Sequence, residues 1–185
     1  AYENDDADFH QVVAEMADIP RSQAKTINLG MFYGMGKAKL SAELGIDIEQ
    51  AKAILNAYNE RVPFVKMLSN RCMTTADKKG CLVTIKGRNC RIDRWEPKTF
   101  GIHKSMTREE AESKYERGSI KRAMTYKALN RLIQGSAADQ TKQAMINCYN
   151  TGHRPLLQIH DELCFNISKD SDIEEIKNQM EHCLD

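Results

Sequence analysis

Arg21, Lys25, Leu29 and Tyr33 stand four residues apart in RSQAKTINLGMFYG, residues 21–34. An α-helix turns about 100° per residue, so each four-residue step drifts only about 40° around it. The four side chains therefore form one stripe. Its two cations fall in the N-terminal half, where free backbone N–H groups already favour an anion. Such a stripe suits a polyphosphate. A merely solvated basic face has the same spacing.

A second constellation is His160-Asp161-Glu162, at the centre of LLQIHDELCF. Adjacent carboxylates between short apolar runs suit hard cations such as Mg²⁺, which take oxygen ligands. Turn residues need not be acidic, yet Asp or Glu at a hairpin tip is often merely solvated, so a plain polar turn is the alternative. A third is YKALNRLIQGSAAD, residues 126–139, whose Lys127, Asn130, Arg131 and Gln134 lie on the polar side of a helical pattern. Amide side chains there can donate to base edges or sugars. Lys78, Lys79, Lys86, Arg88, Arg91 and Arg94 add a basic run around a hairpin that could track a nucleic-acid backbone. An amphipathic helix with a polar exterior explains the third pattern equally well.

The elements that position these residues follow from periodicity. Residues 7–18 read as a short helix, and Pro20 opens another that runs to about Tyr33 and stops at Gly34 and Gly36. Asp47 with Gln50 predicts a capping box. Pro63 restarts a helix that ends near Gly80, and residues 81–92 read as a hairpin about Lys86-Gly87-Arg88. Residues 93–118 look like a charged surface insertion with one short helix. Residues 119–150 carry a long helical pattern in which Gly135 could mark a bend, and Gly152 caps it. LLQIHDELCFNI predicts strand, two-residue turn and strand, and Asp170 or Asp172 could cap a last helix. Helices on one side of a small antiparallel sheet give the α+β class.

Composition bounds the rest. The chain has 185 residues, with 27 Lys+Arg against 26 Asp+Glu and a net charge of +1. That balance excludes binding nucleic acid by bulk charge alone, though not through local basic faces. Apolar runs are only a few residues long, so no membrane span and no membrane partner are expected. The first ten residues, AYENDDADFH, are too acidic for a secretory signal. The six cysteines form no C-x-x-C pair, which favours reduced thiols over a zinc site.

Taken together, the blocks resemble the family A DNA polymerases. Arg21, Lys25, Tyr33 and Gly34 match motif B of the family's fingers helix, and Gln158 to Leu163 match motif C on a palm hairpin. Asn130 to Asp139 is similar to the palm helix before motif C, and Ala1 to His10 to the segment between motifs A and B. The blocks stand in family order across nearly the whole chain. The short interval from His10 to Arg21, and YKALNRLIQGSAAD, look more like bacteriophage replicative enzymes than bacterial repair polymerases.

The resemblance implies template-directed addition of dNTPs to a primer 3′-hydroxyl during DNA replication. The implied partners are primer–template DNA and dNTPs, the implied cofactor is a pair of Mg²⁺ ions, and the compartment is the cytoplasm, of a bacterial host for a phage protein. It assigns His10, Arg21, Lys25, Leu29 and Tyr33 to the dNTP, and Asp161 and Glu162 to metal and catalysis. Asn130, Gln134 and His160 are assigned to the primer–template terminus. It also implies fingers over 1–80, a hairpin and insertion over 81–118, and part of the palm over 119–185. The family's motif A aspartate is expected upstream of Ala1, so the chain reads as an incomplete polymerase, with the isolated 185 residues inactive. Leu29 stands where the family usually has Phe or Tyr, and Tyr126 where many members have a basic residue. Two other classes compete. One is a metal phosphohydrolase using the His160-Asp161 dyad; the other is a non-catalytic nucleic-acid-binding module.

Overall fold

The structure is a computed structural model that describes residues 8–17, 19–99, 101 and 104–184. In chain order its elements are α1 Phe9–Ala17, α2 Arg21–Phe32, α3 Lys37–Leu44, α4 Ile48–Arg61 and α5 Pro63–Lys79. Then come β1 Cys81–Val83, β2 Asn89–Arg91, β3 Trp95–Pro97, α6 Arg108–Lys114 and β4 Ile120–Arg122. The last are α7 Ala128–Asn150, β5 Leu157–Ile159, β6 Glu162–Cys164 and α8 Asp170–Glu181. The chain divides into two compact units. One comprises Ala1–Leu82 with Arg91–Arg131, the other Val83–Cys90 with Leu132–Asp185.

The first unit is built on helix packing. Ala14 of α1, Ala24 and Ile27 of α2, Leu40 of α3, Ala51 and Tyr58 of α4, Val62 and Val65 share one buried cluster. The α4 start carries the expected capping box: Asp47 accepts from the Gln50 N–H, and the Gln50 side chain accepts from the Asp47 N–H. Pro63 opens α5, where a missing N–H costs nothing.

Residues 93–118 are more than a charged surface loop. β3 pairs antiparallel with β4, Trp95 opposite Arg122 and Pro97 opposite Ile120. Met106, Ala111 and Ile120 form a small core of their own, with Trp95 and Tyr115 packed against it. The Arg122 and Arg108 guanidinium groups lie 4.7 and 5.4 Å from the centre of the Trp95 ring, and Thr107 with Glu110 caps α6. Glu96 is buried and paired with Lys121 at 3.4 Å, and the other described charged residues of 93–118 form the exterior of this folded piece. The helix expected from residue 119 starts only at Ala128, because 120–122 is claimed by β3 and Met124 turns left-handed at φ 58°.

In the second unit α7 runs unbroken through Gly135. A Cβ at Gly135 would sit 2.9 Å from Cys90 Sγ and 3.0 Å from a Thr84 methyl. The glycine marks close approach of the 83–90 turn, and the expected bend is absent. Arg88 completes that docking: Nε donates to Asp139 Oδ1 at 2.7 Å and Nη2 donates to the Gly135 carbonyl at 2.8 Å. β5 and β6 pair antiparallel, Leu157 opposite Cys164 and Ile159 opposite Glu162. Lys169, not Asp170 or Asp172, occupies the N-cap of α8, and both acids lie in its first turn.

The α+β class stands, with its strands in three separate two-stranded sheets among the described residues rather than in one sheet. All six cysteines are free. No described helix is long and apolar enough to cross a membrane.

Candidate functional site

Helix α2 carries the first group of residues. Ala24, Ile27 and Asn28 are fully buried against the helical core. That fixes the rotation of the helix and turns Arg21, Lys25, Leu29 and Tyr33 outward, all exposed. No acid occupies the first turn of α2, so nothing within the helix neutralises its N-terminal N–H groups. Lys25 makes no ion pair with a described residue. Arg21 does: Nε donates to Asp8 Oδ2 at 2.7 Å and Nη2 lies 2.6 Å from the same oxygen. The Arg21 guanidinium, helped by the Gln11 and His10 N–H groups on the same carboxylate, holds the Asp8 carboxyl below its usual range. Asp8 thus caps the start of α1 and tethers the cation that opens α2.

Tyr33 follows the last turn of α2, and Gly34 after it has φ +73°. A Cβ at Gly34 would meet the Tyr126 carbonyl oxygen at 2.9 Å. The glycine is required twice, for the left-handed turn and for the backbone pressed against it. His10 sits half-buried on α1, its Nδ1 3.2 Å from the Asn28 amide nitrogen. Residues 1–7 lie outside the described part, so the resemblance noted for Ala1 to Asn4 has no structural counterpart here.

The second group is in the other unit. Gln134, Ala137, Ala138 and Thr141 of α7, with His160 and Asp161 of the β5–β6 turn, line one open cavity of about 510 Å³. Two alanines and a threonine facing the turn leave that volume open. His160 adopts φ +54°, a region sparsely used by non-glycine residues and common where a turn must aim a side chain. The Gln158 side chain donates to the His160 carbonyl at 3.0 Å and braces the turn. Glu162, opposite Ile159 on β6, is exposed and is not among the residues lining the cavity. The structure therefore brings Asp161, His160 and Gln134 together and leaves Glu162 beside them. Leu156 just before β5, and Leu157 and Ile159 within it, are exposed.

Asn130 is half-buried near the start of α7, one helical turn before Gln134. The dNTP-assigned residues and the Asp161 turn lie in different units.

The basic run resolves unevenly. Arg88 is committed to buried Asp139, so it is a structural cation rather than one free to track a nucleic-acid backbone. The neighbouring Thr84 hydroxyl and the Arg88 guanidinium hold the Asp139 carboxyl below its usual range. Asp139 Oδ1 accepts from Arg88 Nε at 2.7 Å, while Oδ2 is buried with no hydrogen-bond partner among the described residues. Arg131 donates to the Arg91 carbonyl at 2.7 Å, and Arg94 reaches the Ser105 carbonyl at 3.4 Å. Sequence reasoning missed Asn28, Asp139 and the tether at Asp8. A polar residue on the buried side of a helical pattern was the available signal for the first two.

Comparison with known proteins identifies the family of the chain. The model of DNA polymerase family A matches residues 2–185. The chain is 32% identical over 217 aligned residues to a DNA-directed DNA polymerase of Pseudomonas phage M6, covering 98% of this chain and 29% of that protein. It is 34% identical over 154 residues to the thermostable DNA polymerase I of Thermus aquaticus, covering 81% of this chain and 16% of that protein. Among solved structures it is similar to the POL domain of Pol1 from M. smegmatis in complex with DNA primer-template and dNTP. That likeness has TM-score 0.72 and 30% identity, over 98% of this chain and 31% of that one. The chain thus spans less than a third of each of these relatives.

Proposed function

We propose, from the premise that the chain belongs to DNA polymerase family A, that it supplies the nucleotide-binding helix and one metal-binding turn of a DNA-directed DNA polymerase. The reaction is template-directed addition of a dNTP to a primer 3′-hydroxyl. The observation that carries this reading is the β5–β6 turn, which aims Asp161 into the same cavity as Gln134 and His160.

The donor chemistry fits a divalent cation. Asp161 in the two-residue turn and Glu162 at the start of β6 offer exposed carboxylate oxygens, and Mg²⁺ is bound through one or two carboxylates plus substrate phosphates. Among the described residues no third ligating side chain joins them, so on this reading further ligands come from the substrate and from outside this chain's described part. When bound, the metal activates the primer hydroxyl and stabilises charge on the leaving pyrophosphate.

The chain's own residues do the rest. Lys25 and Arg21 hold the triphosphate on the outward stripe of α2, Arg21 exchanging the Asp8 carboxylate for phosphate oxygens. As charge moves toward the leaving pyrophosphate, both cations stabilise it where they already stand. Leu29 and Tyr33 extend the stripe toward the sugar and base of the incoming nucleotide. Gln134 and His160 present donors to the minor-groove edge of the terminal pair. Acceptors recur there in similar positions in every base pair, so they test its shape without reading its sequence. Residues 1–80 act as fingers and 119–185 as part of the palm, with 81–118 between them. Exposed Leu157 and Ile159 suit an edge that another strand covers. DNA polymerases of phages among the relatives favour a replicative role.

Primer extension with Mg²⁺ by the intact protein and its Asp161→Ala variant tests the reading. Loss of a metal ligand removes several kcal/mol of transition-state stabilisation, about a thousandfold in rate. DNA affinity should stay within a few-fold. Wild-type-like extension by Asp161→Ala would refute it.

A further inference from the structure

Asn28 is an amide held at 0% exposure in the core between α1, α2 and α4. An apolar side chain of similar size would fill that space without losing hydration, so a buried amide must have both ends paired to be tolerated. Both ends are paired. Asn28 Oδ1 accepts from the Tyr58 hydroxyl at 2.7 Å, and Asn28 Nδ2 reaches His10 Nδ1 at 3.2 Å.

The amide is oriented with Oδ1 toward the Tyr58 hydroxyl and Nδ2 toward the His10 ring. An amide nitrogen can only donate. His10 Nδ1 must therefore accept, and the neutral ring carries its proton on Nε2. A charged ring would set an Nδ1–H against the amide N–H.

We infer that Asn28 is a positioning residue that fixes the Nε2–H tautomer of His10, with Tyr58 locking the amide in place. This rests on the polymerase reading for its purpose. A ring whose Nδ1 is occupied as an acceptor offers a triphosphate oxygen one neutral, directed N–H. Charge neutralisation is then left to Arg21 and Lys25 on the neighbouring helix. Tyr58, thirty positions away on α4, ties this choice to the packing of the helical core.

Nitrogen-15 NMR of histidine in the nucleotide-free intact protein reads the tautomer directly, with His10→Gln assigning the signal. The expected wild-type pattern has protonated Nε2 and unprotonated Nδ1. Tyr58→Phe keeps the ring volume and should show a mixture of tautomers. Asn28→Asp offers Nδ1 a carboxylate and should move the proton there. In primer extension, Tyr58→Phe should raise the KM for dNTP about fivefold, the scale of one hydrogen bond, with little change in DNA affinity. A wild-type Nε2 without its proton, or tautomers unmoved in both variants, would overturn the relay. The expected tautomers with an unchanged dNTP KM would overturn its positioning role while leaving the polymerase reading intact. Failure of the wild-type protein to extend any primer would instead sink the polymerase reading, and the spectra would still decide the relay.

Discussion

The α2 stripe and the β5–β6 turn hold functional side chains by opposite means. Helix α2 is fixed by what it buries: Ala24, Ile27 and Asn28 are all at 0% exposure, so the outward direction of Arg21 and Lys25 follows from packing. The turn has little buried beneath it. Every residue of β5 is exposed, and the direction of Asp161 is set by strand pairing and by the left-handed backbone of His160. A site held by a core tolerates changes on its exposed face and suffers when the core is disturbed. A site held by backbone geometry fails at the turn itself.

The sharpest way to separate the two is to remove one charge from each. Lys25→Ala leaves the buried face of α2 untouched, so folding should be unchanged. The dNTP concentration for half-maximal rate should rise about 10- to 100-fold, the loss of a charge-assisted contact. Weaker primer–template binding as the only effect would break the comparison. Disturbing the helix end instead should act on stability. Gly34→Ala must place a side chain at positive φ and against the Tyr126 carbonyl, which should cost about 2 kcal/mol in urea unfolding. An unchanged midpoint would mean that α2 is not held there.

Leu29 sharpens the picture on the stripe alone. It is 46% exposed one turn beyond Lys25, so a larger side chain fits without repacking. Leu29→Tyr adds a hydroxyl donor near the sugar and should improve use of 2′,3′-dideoxynucleotides relative to dNTPs about fivefold. Equal discrimination in both proteins would remove Leu29 from the nucleotide site. The smallest effect is expected from Asp139, which anchors the 83–90 turn to α7. Its carboxyl is held below the usual range when folded, so the unfolded chain binds its proton first as pH falls. Its contribution is whole above the ordinary carboxylate pKa of about 3.9 and is lost as pH drops through the lower folded value. Asp139→Asn should flatten the fall of melting temperature below about pH 4. The flattening is partial, because Asp8, Glu110 and Glu112 are depressed too. An unaltered slope would show that Arg88 does not hold this carboxylate.

Most helices, and both constellations, were legible because they rest on local rules. Period and caps define α2, α4 and α5, and alternation with a two-residue turn defines β5 and β6. What escaped depends on distant partners. Residues 119–127 keep a helical pattern, yet Ile120 to Arg122 pair with Trp95 to Pro97 across the chain. Gly135 looks like a helix bend until the 83–90 turn is seen filling the space of its missing side chain. Arg88 reads as a nucleic-acid cation because its partner, Asp139, lies 51 residues away. Asn28 is one more polar residue in TIN until Tyr58 and His10 are found at its two ends. Helix α3 was not anticipated; it is short and buries only Leu40.

The central claim is that the α2 stripe binds the nucleotide and the Asp161 turn drives its transfer. Single-turnover extension of one primer–template, titrated with dNTP, tests both halves for the intact wild-type protein, Lys25→Ala and Asp161→Ala. The account predicts that Lys25→Ala raises the dNTP concentration for half-maximal rate and that Asp161→Ala loses the maximal rate, with primer–template affinity preserved in both. Losses confined to DNA affinity in both variants, with nucleotide dependence and maximal rate intact, would contradict it.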